Sequence, residues 1–235
     1  MGDDIPLARR SKPALPRSPS YRQRLGWIGL GAIIMIGPGL VVLSGPLARW
    51  LAPRPVAGLD ARLGEDGRLL GHFPYPQAKR SQLVDFYPGV RLRADAGQAL
   101  LSMQADAAAA GIDISILSTF RSAELQRELF FEVMSLRNQS AKERAKVSAP
   151  PGFSEHSTGF AVDLGDSTAP QTNLSTNFEQ TPAYKWLTDN AAKYHFKLSF
   201  PKNNAQGVSH EPWHWRYEGS TEALKLFEPA QRLQS

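Results

Sequence analysis

Cysteine is absent from this chain of 235 residues, so it can build neither a disulfide framework nor a thiolate metal site. Histidine is scarce, at five residues, and any bound metal must draw on these and on Asp or Glu. An acidic excess is missing too, the formal net charge being +5. That charge is unevenly spread. Before Leu25, Arg9, Arg10, Lys12, Arg17, Arg22 and Arg24 stand against Asp3 and Asp4, so residues 1–24 carry about +4 and the rest about +1. The folded part therefore lacks the basic footprint that a phosphate backbone requires, and nucleic acid is not expected as a partner. No internal repeat is present. With 42% hydrophobic and 21% charged residues, the composition is that of a globular protein, with room for one domain plus appendages.

One long uncharged run does occur. Residues 25–47 (LGWIGLGAIIMIGPGLVVLSGPL) are enough to cross a bilayer at about 1.5 Å per residue, which predicts a single N-terminal transmembrane helix. The basic flank lies on its N-terminal side. By the positive-inside rule residues 1–24 form a cytoplasmic tail, and everything after about residue 48 lies outside a cell (inner) membrane. The competing reading is a cleaved signal peptide, whose apolar core of about 7–15 residues would be shorter and would end in a small-residue cleavage site. Residues 48–82, rich in Pro, Gly and Arg, are expected to be a linker, with HFPYP at 72–76 packed onto the domain at 83–230.

Within that domain, apolar spacing predicts a helix over 94–110 closed by Gly111, and a second amphipathic helix over 122–136. Residues 112–117, β-branched and alternating, read as a strand, and 138–151 as a polar loop. Short strands follow at 160–164, 196–200 and 213–217, with a helix over 183–194 between the first two. Mixed elements without a regular βαβ period predict an α+β fold, a small antiparallel sheet with flanking helices.

Three segments carry chemistry. In Ser154-Glu155-His156-Ser157-Thr158-Gly159-Phe160-Ala161-Val162-Asp163, a loop histidine, a turning glycine and an aspartate on the next strand can converge on one ion. Zinc accepts imidazole nitrogen and carboxylate oxygen at about 2.0–2.2 Å. In His210-Glu211-Pro212-Trp213-His214-Trp215-Arg216-Tyr217 the letters match H-E-x-x-H, but Pro212 and the strand-forming WHWRY oppose a helix. On a strand, positions 210 and 214 would lie roughly 13 Å apart, too far to share a metal. His214 is then the ligand, His210 a bystander, and Glu211 a general base beside the metal. Three ligands, His156, Asp163 and His214, leave a position open for water, as in catalytic zinc sites. In the third segment, Ser118 to Gln126, Arg121 could grip a carboxylate or a developing oxyanion, while Ser122 could simply cap a helix.

In this order, the elements Phe120-Arg121-Ser122…Gln126, Ser154-x-His156-x-x-Gly159-x-Ala161-x-Asp163 and Glu211 through Tyr217 resemble the zinc D,D-carboxypeptidases of the vancomycin-resistance type. These are part of a wider group with the lysostaphin-like peptidases and the hedgehog signalling domain. The resemblance covers residues 83–227. It implies a hedgehog/D,D-peptidase-like fold and one zinc on His156, Asp163 and His214. It implies Glu211 as base, Arg121 opposite developing negative charge, and Gln126 and Ser154 as substrate-placing residues. Phe120 stands where the family has Tyr.

The implied activity is removal of the C-terminal D-alanine from peptidoglycan stem peptides. An L,D-carboxypeptidase acting on tetrapeptide stems, an endopeptidase, and a non-catalytic zinc module that binds cell wall are the alternatives. An intact Glu211 beside three ligands speaks against the last, because a structural site needs no base.

Overall fold

The computed structural model describes residues 58–234. The expected tail and membrane span, residues 1–24 and 25–47, lie outside them. Among the described residues no helix is long and apolar enough to cross a membrane.

A short hairpin opens the regular structure, β1 (Val84–Tyr87) and β2 (Val90–Leu92) joined at Pro88-Gly89. Helix α1 (Ala94–Ala109) follows and buries Ala96, Leu100, Met103 and Ala107, one face at helical spacing. Strand β3 (Ile114–Ser118) leads into α2 (Ala123–Leu136), which is started by Ser122, whose hydroxyl accepts a hydrogen bond from Leu125 N. A short α3 (Ala141–Ala145) precedes β4 (Ala161–Asp166). The chain continues through α4 (Pro182–Asn190), β5 (Phe196–Leu198), β6 (His214–Tyr217) and α5 (Thr221–Gln234).

Strands β3, β4, β6 and β5 pair in that order, all antiparallel, into one sheet. This is the α+β arrangement of a small antiparallel sheet with helices. Period two divides its residues. Val162 and Leu164 of β4 and Trp215 and Tyr217 of β6 join α1, α4 and α5 in the main core, with Phe160, Leu187 and Phe227. Asp163, His214 and Arg216 take the alternate positions, hence the opposite face. A second, smaller apolar cluster contains Leu59, Leu69, Phe130, Ala145 and Phe153. All six residues of β4 are buried, so both of its faces are covered.

Several elements depart from the sequence reading. The polar stretch 138–151 is not all loop, since α3 lies inside it. Its start is a capping box, with Glu143 N donating to Ser140 Oγ at 3.2 Å and Ser140 N donating to Glu143 Oε2 at 2.8 Å. The S-x-x-E spacing of residues 140–143 is the signal for it. Helix α4 ends at Asn190 and passes into a tighter turn over Ala191–Tyr194. Helix α5 and the β1–β2 hairpin were not expected. Of the segment expected as a linker, residues 58–82 carry buried Leu59, Leu69, Phe73, Tyr75 and Ala78, with Phe73 and Tyr75 in the main core.

Candidate metal centre

The site begins with strand register. Asp163 on β4 lies directly opposite His214 on β6, so adjacent strands present the two side chains on one face. His156 arrives from the turn Glu155–Thr158, which Gly159 closes with φ +76°. A Cβ at Gly159 would stand 2.6 Å from Leu83 Cδ2, so the turn needs glycine for both conformation and space. One ligand atom from each of His156, Asp163 and His214 lies within 4.8 Å of the others, and all three residues are buried.

Hydrogen bonding decides which atoms face inward. His156 Nδ1 donates to the Thr119 carbonyl at 2.8 Å, which leaves Nε2 as a bare lone pair. That Nε2 is buried without a hydrogen-bond partner, yet sits 3.1 Å from Asp163 Oδ2. Burial pushes the His156 pKa down, against the pull of Asp163, so the ring is held towards its neutral form. A lone pair facing a carboxylate oxygen in a buried site is an arrangement that a cation between them satisfies. The residues fit a metal ion.

His214 is held at both nitrogens, with Nδ1 3.1 Å from Asp163 Oδ1 and Nε2 3.0 Å from Glu155 Oε2. Burial alone would lower its pKa; hydrogen bonds to the two carboxylates outweigh that and raise it to about 10. Burial likewise opposes the Asp163 charge, but the His156 and His214 rings hold its carboxyl well below the usual range. Glu155 is the residue that sequence reasoning passed over. It is fully enclosed, and besides His214 it accepts from Ser199 Oγ at 2.6 Å and Arg216 Nη1 at 3.1 Å. Burial raises its pKa, but Arg216, His214 and Ser199 bring it down to about 2. Since Nε2 donates to Glu155, His214 faces Asp163 with Nδ1. Nothing local in the sequence marks this role, because its side-chain partners lie 44 to 80 residues away.

Glu211 stands apart from His156, Asp163 and His214, its Oε2 3.9 Å from His214 Nδ1. Burial raises its pKa to about 8, with Asp163 and Glu155 adding to the shift while His214 and Arg121 oppose it. Arg121 lies in the loop before α2. Its backbone N donates to His156 O at 3.3 Å, its O accepts from Ser157 Oγ at 3.0 Å, and Nη2 reaches to 3.9 Å from Asp163 Oδ2. Gln126 and Ser154 are buried in the wall of the same cavity, whose volume is about 440 Å³. His210 is engaged elsewhere, Nε2 at 2.9 Å from Glu179 Oε1 and Nδ1 at 2.9 Å from Phe200 O. The expected reason differs from the observed one: a turn at Pro212-Trp213, not a continuous strand, separates His210 from His214. Trp215 is buried in the main core.

The sequence model of the VanY family, described as D-alanyl-D-alanine carboxypeptidase, matches residues 89–220, more than half of the chain. The chain belongs to the VanY family. Among curated relatives, the putative carboxypeptidase YodJ of Bacillus subtilis (strain 168) is 36% identical over 134 residues, 56% of this chain and 48% of that protein. A D-alanyl-D-alanine carboxypeptidase of Enterococcus faecium is 29% identical over 149 residues, 60% of this chain and 44% of that protein. The chain thus spans about half the length of these curated relatives. Among solved structures, the LdcB LD-carboxypeptidase superposes with a TM-score of 0.58 at 27% identity, over 77% of this chain and 91% of that one. VanYB in complex with D-Alanine-D-Alanine gives 0.53 at 28% identity, over 66% and 87%. A vancomycin-resistance D,D-pentapeptidase VanY variant in complex with Zn(II) gives 0.54 at 26% identity, over 69% and 94%.

Proposed function

We propose that this chain is a zinc-dependent carboxypeptidase that removes the C-terminal D-alanine from peptidoglycan stem peptides. The observation that carries the reading is the buried trio His156, Asp163 and His214, with the Glu211 carboxylate beside it and an open cavity above. The zinc-bound and D-Ala-D-Ala-bound VanY relatives support the choice of metal and substrate. His156 Nε2, an Asp163 oxygen and His214 Nδ1 would hold the ion; when bound, zinc would supply the Lewis acidity that polarises a carbonyl and acidifies water.

The chain's own residues do the rest. Glu211, in the ionised form that a cation held beside it would favour against burial, would take a proton from the attacking water and return it to the leaving amine nitrogen. Arg121 is placed to face the negative charge that develops on the scissile carbonyl oxygen. Gln126 and Ser154 line the space where the peptide would lie. The likeness to the LdcB LD-carboxypeptidase favours a second reading, cleavage of tetrapeptide stems. Mass spectrometry of products from pentapeptide and tetrapeptide muropeptides separates the two. Loss of one D-alanine from the pentapeptide alone is the expected result, and loss from the tetrapeptide alone would overturn it.

The same reading places the catalytic domain outside the cytoplasm, tethered by residues 25–47. The uncharged run with its basic N-terminal flank supports this. Such a tether would keep the site near its cell-wall substrate.

A further inference from the structure

The cavity holds more positive charge than the proposed reaction uses. Besides Arg121, it is lined by Arg137, at the end of α2, and Arg144, on α3. Elsewhere Arg68, Arg80, Arg91, Arg93 and Arg216 each pair with a carboxylate. Among the described residues neither Arg137 nor Arg144 forms an ion pair, and Arg144 Nε is buried with no hydrogen-bond partner. Burial disfavours the Arg144 charge, Arg137 and Arg121 repel it, and Glu211 attracts it. Arg121 has Asp163 at 3.9 Å, but the half-buried Arg144 on the cavity wall has no carboxylate within ion-pairing distance, an electrostatic cost that a bound carboxylate relieves.

The neighbouring groups narrow the choice of ligand. The Gln126 amide nitrogen is committed to Ala149 O at 2.6 Å and Ser148 Oγ at 3.2 Å. Its Oε1 is left buried without a partner. That oxygen can accept from a peptide N–H and cannot hold a carboxylate. Arg144 is close enough to Glu211 and Arg121 to feel both charges. In a carboxypeptidase substrate the terminal carboxylate is one residue beyond the scissile carbonyl, about 3.8 Å further along the chain. A cation that reads it must therefore share the cavity with the base.

We propose that Arg144, seconded by Arg137, binds the C-terminal α-carboxylate of the peptide and thereby restricts the enzyme to release of a single terminal residue. This rests on the carboxypeptidase reading and names the feature of the substrate that makes it one. The exposed Lys142 and Lys146 on either side belong to solvent; Arg144 differs in having its Nε enclosed.

The test uses the full chain loaded with zinc and two probes, an N-acetylated tripeptide ending in D-alanyl-D-alanine and the same peptide with a C-terminal amide. The wild type should favour the free acid by about 10–100-fold in kcat/KM, the scale of a charge-assisted hydrogen bond. Arg144→Gln should lower kcat/KM for the acid by about the same factor, chiefly through KM, and leave the amide and the zinc content unchanged. Arg144→Lys should restore part of the loss. Equal cleavage of acid and amide by the wild type, or an equal loss on both in Arg144→Gln, would overturn the assignment. Calorimetric binding of the two probes covers a wild type that cleaves neither. Tighter binding of the acid that is lost in Arg144→Gln would keep the subsite and remove the carboxypeptidase reading, whereas equal binding would remove the subsite.

Discussion

Single atoms decide what this site can hold. His156 can present a free Nε2 because its Nδ1 donates to Thr119 O, and His214 can present Nδ1 because its Nε2 donates to Glu155. His156→Ala should abolish stoichiometric zinc binding, measured by atomic absorption on the purified domain; full occupancy in that variant would remove the residue from the ligand set. Glu155→Gln should weaken zinc about 10–100-fold in a chelator competition, the usual cost of losing a ligand's outer partner. It will also cost stability, because the buried Arg216 is left with Glu218 alone as its counter-charge. Affinity should therefore be read well below the melting temperature, where an unchanged value would confine Glu155 to packing. Glu211→Gln should keep zinc and the fold while activity drops by about 10²–10⁴-fold, and full activity would refute the proposed base. His72 gives a pH signature. It is buried, donates from Nε2 to Ala145 O at 2.7 Å, and burial lowers its pKa from 6.5 to about 4. Because the folded value is below the unfolded one, the stability tied to neutral His72 is complete above about pH 6.5 and is lost as the pH falls towards 4. The loss amounts to about 3 kcal/mol in all. Urea midpoints at pH 7 and pH 5 should therefore differ more for the wild type than for His72→Gln, and equal differences would contradict the assignment.

At the scale of elements, strand register and two turns assemble the centre. Pairing of Asp163 with His214 makes the geometry of these two side chains a property of the sheet, and a one-residue slip of β6 would turn His214 into the core. The turn that delivers His156 depends on Gly159. Gly159→Ala would force a side chain into the left-handed region and against Leu83, at a cost on the order of 1–3 kcal/mol. Calorimetry should show a lowered melting temperature, and a variant as stable as the wild type would mean that the turn relaxes freely. Most of these elements were legible beforehand. The four strands of the main sheet and helices α1, α2 and α4 carry clear periodicity or β-branched runs. The hairpin at 84–92 and α5 were not, because their burial depends on partners distant in sequence. Phe86, for example, would collide with any Cβ placed at Gly97 of α1.

For the whole molecule, the proposed tether predicts where the protein resides. A reporter fused after Ser235 should be accessible from outside the cell, and the protein should stay in the membrane fraction through a high-salt wash. A soluble, shortened product would instead identify residues 25–47 as a cleaved signal.

Local chemistry was readable from the chain alone. Without cysteine and with five histidines, a metal had few possible ligands, and motif spacing singled out His156, Asp163, His214 and Glu211. Helical and strand periods made the α+β class visible, because each period reflects which face must leave water. What only folding could decide is which groups meet from afar. Glu155 reaches Arg216, Ser199 and His214 across two strands and a loop, His210 turns to Glu179, and Arg137 and Arg144 share a cavity wall with Arg121. Burial then sets the consequences, raising the Glu211 pKa to about 8 and disfavouring the Arg144 charge. Both depend on the distance to other charges and to water, and those distances exist only in three dimensions.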